Sequence, residues 1–264
     1  MMKTQRLATL IFLGLFAAAV GCPSASAAIT VDGLVGDWGI APGPYGNFAQ
    51  WTPNPGIAVV QEDQDPAVSF LGPGSGGQPY DVEAIYFTQE GLTAYVAVVS
   101  GFPLAGWPGY AAGDVAIDFG SNGSYEFGVD TIGNCVGCTG GPGIKLYGNP
   151  TWTNALLFPV SSPYALATGT AVGNVSFGYQ PSAYAANGHY AFEVGIPVSL
   201  FGSYWNGTTH DAFTVHWTMA CGNDVLDLLV PPQRTVIPEP VSSTLFLVGL
   251  GALAFARRKF ATLT

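Results

Sequence analysis

Between residues 28 and 237 the sequence contains no apolar pattern with the period of a helix, and this feature constrains the fold most. Short alternating or apolar runs recur instead between clusters of Gly, Pro and Asn, in a chain with 36 Gly and 20 Pro. Such runs between turn residues are typical of an all-β protein. The predicted strands are residues 82–87, 92–99, 114–119, 125–130, 172–179, 190–196, 212–219 and 225–229.

Eight or more short strands at this spacing favour one antiparallel β-sandwich of the jelly-roll type over residues 28–230. A single helical turn is predicted at residues 197–201, directly after a strand. Long loops rich in Gly and Pro are predicted at residues 41–55, 72–79, 102–112 and 134–162.

The first 27 residues have the features of a signal peptide. Lys3 and Arg6 precede an apolar run at residues 7–20, and Ala25-Ser26-Ala27 supplies the small residues of a cleavage site. A competing cleavage site lies before Cys22, where Ala-Val-Gly-Cys resembles the box of bacterial lipoproteins. Either cut implies that an export translocon is a partner of the chain.

The body between the terminal segments has sixteen acidic residues and only two basic ones, Lys145 and Arg234. A surface with such an excess of negative charge repels phosphate backbones, which argues against nucleic acid as a partner. Two cations cannot pair with sixteen carboxylates, so these groups must be hydrated, hydrogen-bonded to backbone N–H groups or bound to a metal. Ca²⁺ is the candidate cofactor, because it is the hard cation that binds carboxylate oxygens.

Residues 113–130 predict a hairpin in which each strand has one apolar and one acidic face. The apolar faces consist of Val115, Ile117, Phe119, Tyr125, Phe127 and Val129, and the acidic faces carry Asp114, Asp118, Glu126 and Asp130. Pairing the apolar faces sets Asp118 opposite Glu126, and Asp114 opposite Asp130. Two hypotheses follow for the opposed acids: water screens them on a solvated face, or Ca²⁺ bridges them there or in the adjoining loops.

Cys135 and Cys138 form a Cys-x-x-Cys pair in the body of an exported chain. A structural disulfide is the favoured interpretation, and half of a metal site is the alternative. A second Cys-x-x-Cys pair, which a four-cysteine zinc site needs, does not occur in the sequence. Cys221 is left without an assigned role.

Aromatic residues occur in the predicted loops, namely Trp51, Trp107, Tyr110 and Trp152. Flat rings suit the apolar faces of sugar rings, so Trp107, Tyr110 and Trp152 are candidates for a ligand-binding platform. The alternative is that these rings pack beneath their own loops.

The C-terminus combines three features in a fixed order. A linker at residues 231–240 ends in Pro238-Glu239-Pro240, residues 241–256 carry no charge, and a basic triplet follows at once. Sixteen helical residues reach roughly 24 Å, which just spans a bilayer core, and the basic end keeps the tail cytoplasmic. The general interpretation of residues 241–264 is a transmembrane helix with a basic tail.

This order of features resembles the PEP-CTERM sorting signal of Gram-negative bacteria. The resemblance rests on Pro238, Glu239 and Pro240, the short apolar run, and Arg257 and Arg258. It implies that a membrane enzyme called exosortase recognises the tail and removes the helix. The body would then reach the cell surface or the extracellular matrix after transient anchoring in the membrane.

The body itself resembles family 9 carbohydrate-binding modules and their DOMON-like relatives. The matching segments are Ile29-Thr30-Val31-Asp32-Gly33 with Asp37-Trp38, residues 80–87 and 94–98, residues 113–118, and Glu193-Val194-Gly195-Ile196-Pro197. The resemblance implies a jelly-roll-like sandwich, commonly with structural calcium, that binds sugars in some branches of the family.

Motifs of nucleophilic or metal-dependent hydrolysis are missing from the sequence, including Gly-x-Ser-x-Gly and His-Glu-x-x-His. We therefore expect a protein that is not an enzyme. The first hypothesis is a structural protein of the cell surface or matrix, and the alternative is a module that tethers the surface to extracellular polysaccharide.

Overall fold

The computed structural model describes residues 28–44, 48–62, 77–133, 135–140 and 143–234. The predicted signal peptide, the Pro238-Glu239-Pro240 motif and the apolar C-terminal segment lie outside these residues. Among the residues described, no helix is both long enough and apolar enough to cross a membrane.

The described chain consists mainly of short strands, which confirms the predicted all-β class. The strands are β1 (Ala58–Gln61), β2 (Val82–Glu90), β3 (Thr93–Ser100), β4 (Val115–Phe119), β5 (Phe127–Val129), β6 (Gly137–Cys138), β7 (Lys145–Thr153), β8 (Ala165–Asn174), β9 (Ser176–Tyr179), β10 (Tyr190–Pro197), β11 (Trp205–Asn206), β12 (Thr209–His210), β13 (Phe213–Thr218) and β14 (Val225–Val230). Short 3₁₀ helices lie at Phe48–Trp51, Gln78–Tyr80, Pro159–Ser161, Ala185–Asn187 and Val198–Tyr204.

The strands form two large sheets and one small hairpin. The first sheet has the order β1-β2-β3-β10-β9, and the second has the order β14-β13-β4-β5-β7-β8-β6. Their strand pairs are antiparallel except for β6 and β8, which run parallel. Strands β11 and β12 form the separate hairpin.

The main apolar core lies between the two sheets. Ile85, Val96 and Val194 contribute to it from the five-stranded sheet, and Ile117 and Val215 contribute from the seven-stranded sheet. These residues follow the two-residue alternation of their strands, because alternate side chains of a strand point to the same face. Burying both apolar faces against each other produces a sandwich.

A second apolar cluster covers the outer face of the five-stranded sheet. Val35, Trp38, Ile40 and Trp51 from the N-terminal part of the body are buried there. They pack with residues of β2, β3 and β10, namely Ala84, Tyr86, Ala97, Val99 and Ala191. The central strands β2, β3 and β10 of this sheet are therefore buried on both faces, which explains why they are largely apolar.

Most predicted strands match observed ones within two or three residues, and the largest differences lie at two places. Residues 172–179 were predicted as one strand, but β8 ends at Asn174 in one sheet and β9 begins at Ser176 in the other. The predicted loop at residues 134–162 contains β7. Strand β7 contains Gly, Asn and Pro, and its pairing with β8 is irregular. Its sequence therefore does not show the alternation of a regular strand. The helical turn predicted at residues 197–201 is observed as the 3₁₀ segment Val198–Tyr204.

Candidate functional site

The hairpin at residues 113–130 has the predicted register. Val115 pairs with Val129, Ala116 with Gly128, and Ile117 with Phe127. The apolar side chains of β4 and β5 are buried in the main core, as the alternation predicts. The acidic residues consequently lie on the opposite face of the seven-stranded sheet.

The prediction of a solvated acidic face is wrong, because Asp114, Asp118 and Asp130 are almost completely buried. Backbone N–H groups satisfy the carboxylates: those of Asn122 and Gly123 donate to Asp118. The Phe119 N–H donates to Glu126 Oε2 at 2.8 Å, and the Cys135 N–H donates to Asp130 Oδ2 at 2.8 Å. These acids serve as local acceptors that fix turns and strand ends.

Asp114 is one of the three almost completely buried acids among the four predicted metal ligands. Its Oδ1 accepts the N–H of Thr131 at 2.9 Å, and its Oδ2 accepts the N–H of Leu166 at 2.8 Å. Burial raises the pKa of Asp114 to about 7, and the nearby charge of Asp130 adds to this rise. The carboxyl group thus joins β4 to the segments that cover the acidic face.

Of the three aromatic residues predicted as a ligand platform, the structure joins two and gives the third different neighbours. Trp107 and Tyr110 form a backbone bridge, and the Trp107 indole N–H donates to the Pro79 carbonyl at 3.0 Å. Trp152 instead contacts Tyr125, with the ring centroids 6.1 Å apart. Trp107 is 37% exposed, whereas Tyr110 packs against the core.

Cys135 and Cys138 form the predicted disulfide, with their Cα atoms 5.4 Å apart. Cys221 is a buried free thiol, and burial raises its pKa. The bridge closes a short loop beside Asp130, whose carboxylate accepts the N–H of Cys135.

A buried carboxylate on β10 joins two of the segments singled out in the sequence. Glu193 Oε2 accepts the N–H groups of Asp32 and Gly33 at 3.1 and 2.6 Å. Its Oε1 accepts the indole N–H of Trp38 at 2.7 Å. Burial raises the pKa of Glu193, while these three donors oppose the rise. The Asp-Gly and Asp-Trp pairs near residue 30 therefore anchor the N-terminal segment to the sheet.

A set of acids that the sequence did not reveal meets at one end of the sandwich. Glu62 follows β1, Asp81 precedes β2, and Asp224 precedes β14. One carboxylate oxygen from each lies within 4.8 Å of the other two. Among the described residues this is the only group of three or more His, Cys, Asp or Glu side chains with such spacing. We call it the acidic triad.

Backbone hydrogen bonds hold the acidic triad in place. Asp224 Oδ2 accepts the N–H of Val82 at 2.6 Å, and its Oδ1 accepts the N–H of Val225 at 2.7 Å. The carbonyl of Asp81 accepts the N–H of Gly101 at 2.8 Å. The carboxylate of Asp224 and the backbone of Asp81 are consequently fixed at strand ends.

The electrostatics of the acidic triad are unfavourable for three ionised carboxylates. Burial raises the pKa of Asp81 far above its usual range, and the charges of Glu83 and Asp224 raise it further. Burial also raises the pKa of Asp224, although the Val82 N–H and the Asp81 side chain oppose the rise. The two side chains hydrogen-bond each other, which requires a proton on one of them.

Glu83 and His189 form a buried pair next to the acidic triad. Glu83 Oε1 accepts the amide N–H of Gln78 at 2.7 Å and lies 3.1 Å from His189 Nδ1. His189 Nε2 donates to the carbonyl of Gly43 at 2.9 Å, since a carbonyl can only accept. Both side chains are fully buried. The pair is thus inaccessible to a substrate and joins the N-terminal segment to β2.

Searches of protein-family models, of curated proteins and of solved structures found no match to this chain. The assignment of function therefore rests on the sequence and on the geometry described above.

Proposed function

We propose that the protein is an exported, non-enzymatic structural protein of the cell surface or extracellular matrix, sorted by a C-terminal signal of the PEP-CTERM type. The observation that carries the proposal is the order of Pro238-Glu239-Pro240, an uncharged run and Arg257-Arg258-Lys259. In this proposal an exosortase cleaves the tail after the translocon has exported the body. The body is a jelly-roll-like sandwich related to family 9 carbohydrate-binding modules.

Three features of the body support an extracellular structural role. A disulfide between Cys135 and Cys138 suits an oxidising compartment. Asp114, Asp118 and Asp130 are used as buried acceptors of backbone N–H groups, which is a structural use of charge. The carboxylate of Glu193 likewise anchors the N-terminal segment by accepting hydrogen bonds from Gly33 and Trp38.

The sorting proposal is tested by the intact mass of the protein released from the surface of an exosortase-containing strain. We expect a mass that lacks Arg257 and Arg258. Replacing Pro238-Glu239-Pro240 by Ala-Gln-Ala should leave the full tail attached and retain the protein in the membrane. A matched control replaces Pro231 and Pro232 by Ala, which changes a proline pair nearby and should leave processing intact. Wild-type protein that keeps both arginines at the surface would overturn the proposal.

The second candidate function is binding of extracellular polysaccharide, and one observation favours it. The Trp107 ring is 37% exposed while its N–H is fixed to Pro79, so one part of a rigid ring faces solvent. Glycan-array binding by the wild type that disappears with Trp107→Ala, but persists with Trp152→Ala, would establish this function. Absence of wild-type binding leaves the structural role.

A further inference from the structure

The acidic triad concentrates negative charge where the described chain offers little compensation. Among the described residues the Lys and Arg side chains are those of Lys145, which begins β7 with three strands between it and β14, and Arg234, which lies beyond the opposite end of β14. His189 lies 3.1 Å from Glu83 and carries a charge only when it is protonated. The Lys145 ammonium lies beside Gly143, and Arg234 pairs with Asp211 at 3.1 Å. A group of buried carboxylates without a nearby Lys or Arg needs protons or a metal ion.

Glu83 gives an independent indication of a missing ligand. The residue is fully buried, and its Oε2 has no hydrogen-bond donor among the described residues, although Oε1 has Gln78 and His189 as neighbours. Glu83 and Asp81 flank Val82, and the charge of Glu83 acts on Asp81 more strongly than any other charge. A buried carboxylate oxygen without a donor is costly, so a cation beside it would stabilise the fold.

We propose that Glu62, Asp81 and Asp224 bind one Ca²⁺ ion, with the uncompensated oxygen of Glu83 facing it. All the groups are carboxylates, and hard oxygen ligands are those that Ca²⁺ prefers. Ca²⁺ also accepts irregular coordination by six to eight oxygens, whereas Mg²⁺ demands a near-ideal octahedron. The amide oxygen of Gln78, in the turn before Asp81, is also buried without a donor among the described residues and is a further candidate ligand.

The proposed ion would connect the two sheets of the sandwich. Glu62 and Asp81 adjoin β1 and β2 of the five-stranded sheet, and Asp224 adjoins β14 of the seven-stranded sheet. Bound Ca²⁺ would therefore resist separation of the sheets at this end. This site differs from the hairpin acids at residues 114–130, whose oxygens accept backbone N–H groups.

The inference goes beyond the proposed sorting and does not depend on it, because calcium binding is measured on purified protein. The full-length chain, solubilised in mild detergent and stripped with EGTA, is titrated with CaCl₂ by calorimetry and then heated. We expect one Ca²⁺ per chain and a rise in melting temperature of about 5 to 10 °C at a hundredfold excess over Kd. MgCl₂ should cause little change.

Two variants test the assignment of ligands. Glu62→Gln is the mildest change, since Glu62 is only partly buried at the end of β1. We expect it to weaken calcium binding at least tenfold, and Glu83→Gln should weaken it by a smaller factor. The matched control is Asp118→Asn, which alters a buried carboxylate of the other sheet and should leave calcium affinity unchanged.

The proposal is overturned by any of three results. The first is a wild-type protein that binds no Ca²⁺ in the titration, which would leave a shared proton as the compensation between Asp81 and Asp224. The second is an equal response to Mg²⁺, and the third is loss of binding in Asp118→Asn with retention in Glu62→Gln. None of these results bears on tail processing, so the two proposals fail separately.

Discussion

Trp38 donates its indole N–H to Glu193 over a distance of 2.7 Å, although the two residues are 155 positions apart in the chain. The same carboxylate accepts the backbone N–H groups of Asp32 and Gly33. Gly33 has a positive φ of 83°, and a side chain there would meet the backbone of Tyr179 and Gln180. The N-terminal segment is therefore positioned by one acid and by one glycine that lets two backbones approach.

Glu193→Gln should release the N-terminal segment from the sheet. The amide has one acceptor oxygen where the carboxylate has two, so at least one of the three donors loses its partner. We expect the free energy of unfolding to fall by about 2–4 kcal/mol. We also expect proteases that do not require Lys or Arg to cleave faster near residues 30–40. Urea denaturation and limited proteolysis measure both effects. Glu90→Gln affects one hydrogen bond from the Ile29 N–H and is the control. It should lower the free energy of unfolding by a smaller amount.

Asp114 makes the stability of the sandwich depend on pH. Its pKa is about 7 in the folded chain, compared with 3.8 for an ordinary aspartate. The folded state therefore binds the proton more tightly, and stability from this group is lost as the pH rises towards the folded pKa. Over the range from about pH 4 to pH 7 the loss amounts to roughly 3 kcal/mol.

The measurement for Asp114 is urea unfolding at a series of pH values. In Asp114→Asn the contribution of this residue to the slope of the unfolding free energy against pH should vanish, whatever the absolute stability of the variant. Asp211→Asn changes a largely exposed carboxylate and should keep the wild-type slope. An unchanged slope in Asp114→Asn would show that another group titrates.

Trp152 should matter more for stability than Trp107. The Trp152 ring covers Gly128, where an added Cβ would lie 2.6 Å from the ring, and it contacts Tyr125. We expect Trp152→Ala to lower the free energy of unfolding by about 2–3 kcal/mol, and Trp107→Ala by about 1 kcal/mol. Thermal unfolding of both variants under identical conditions checks the order, and the reverse order would contradict the packing described for Trp152.

The disulfide should contribute modestly to global stability. It joins cysteines separated by three positions, and closing so short a loop removes little entropy from the unfolded chain. Replacing Cys135 and Cys138 by Ser should lower the free energy of unfolding by about 2 kcal/mol or less. Chemical denaturation with and without reductant measures this, and Cys221→Ala serves as a control that retains the response to reductant. Complete unfolding on reduction would contradict the expectation.

Local features of the sequence were sufficient for several parts of the structure. The register of β4 and β5 follows from alternation and a short turn, because a slip of one residue would exchange the apolar and acidic faces. The spacing of Cys135 and Cys138 favoured a disulfide but also allowed half of a metal site, and the structure contains the disulfide. Most strands of the two sheets were predicted for the same reason, since alternation is a property of the extended backbone.

Other features depended on how the sheets pack. The sequence predicted one strand at residues 172–179, and the tertiary structure divides it between two sheets at Val175, because alternation reports burial without indicating the partner strand. The acidic face of the hairpin is buried because distant segments, including Leu166, cover it. Glu62, Asp81 and Asp224 show no shared pattern along the chain, and they meet only where ends of both sheets converge. The sequence by itself determined the strand alternation, the excess of acid and the sorting-like tail. The tertiary structure decided which acids share an environment, since that depends on contacts between residues far apart in the chain.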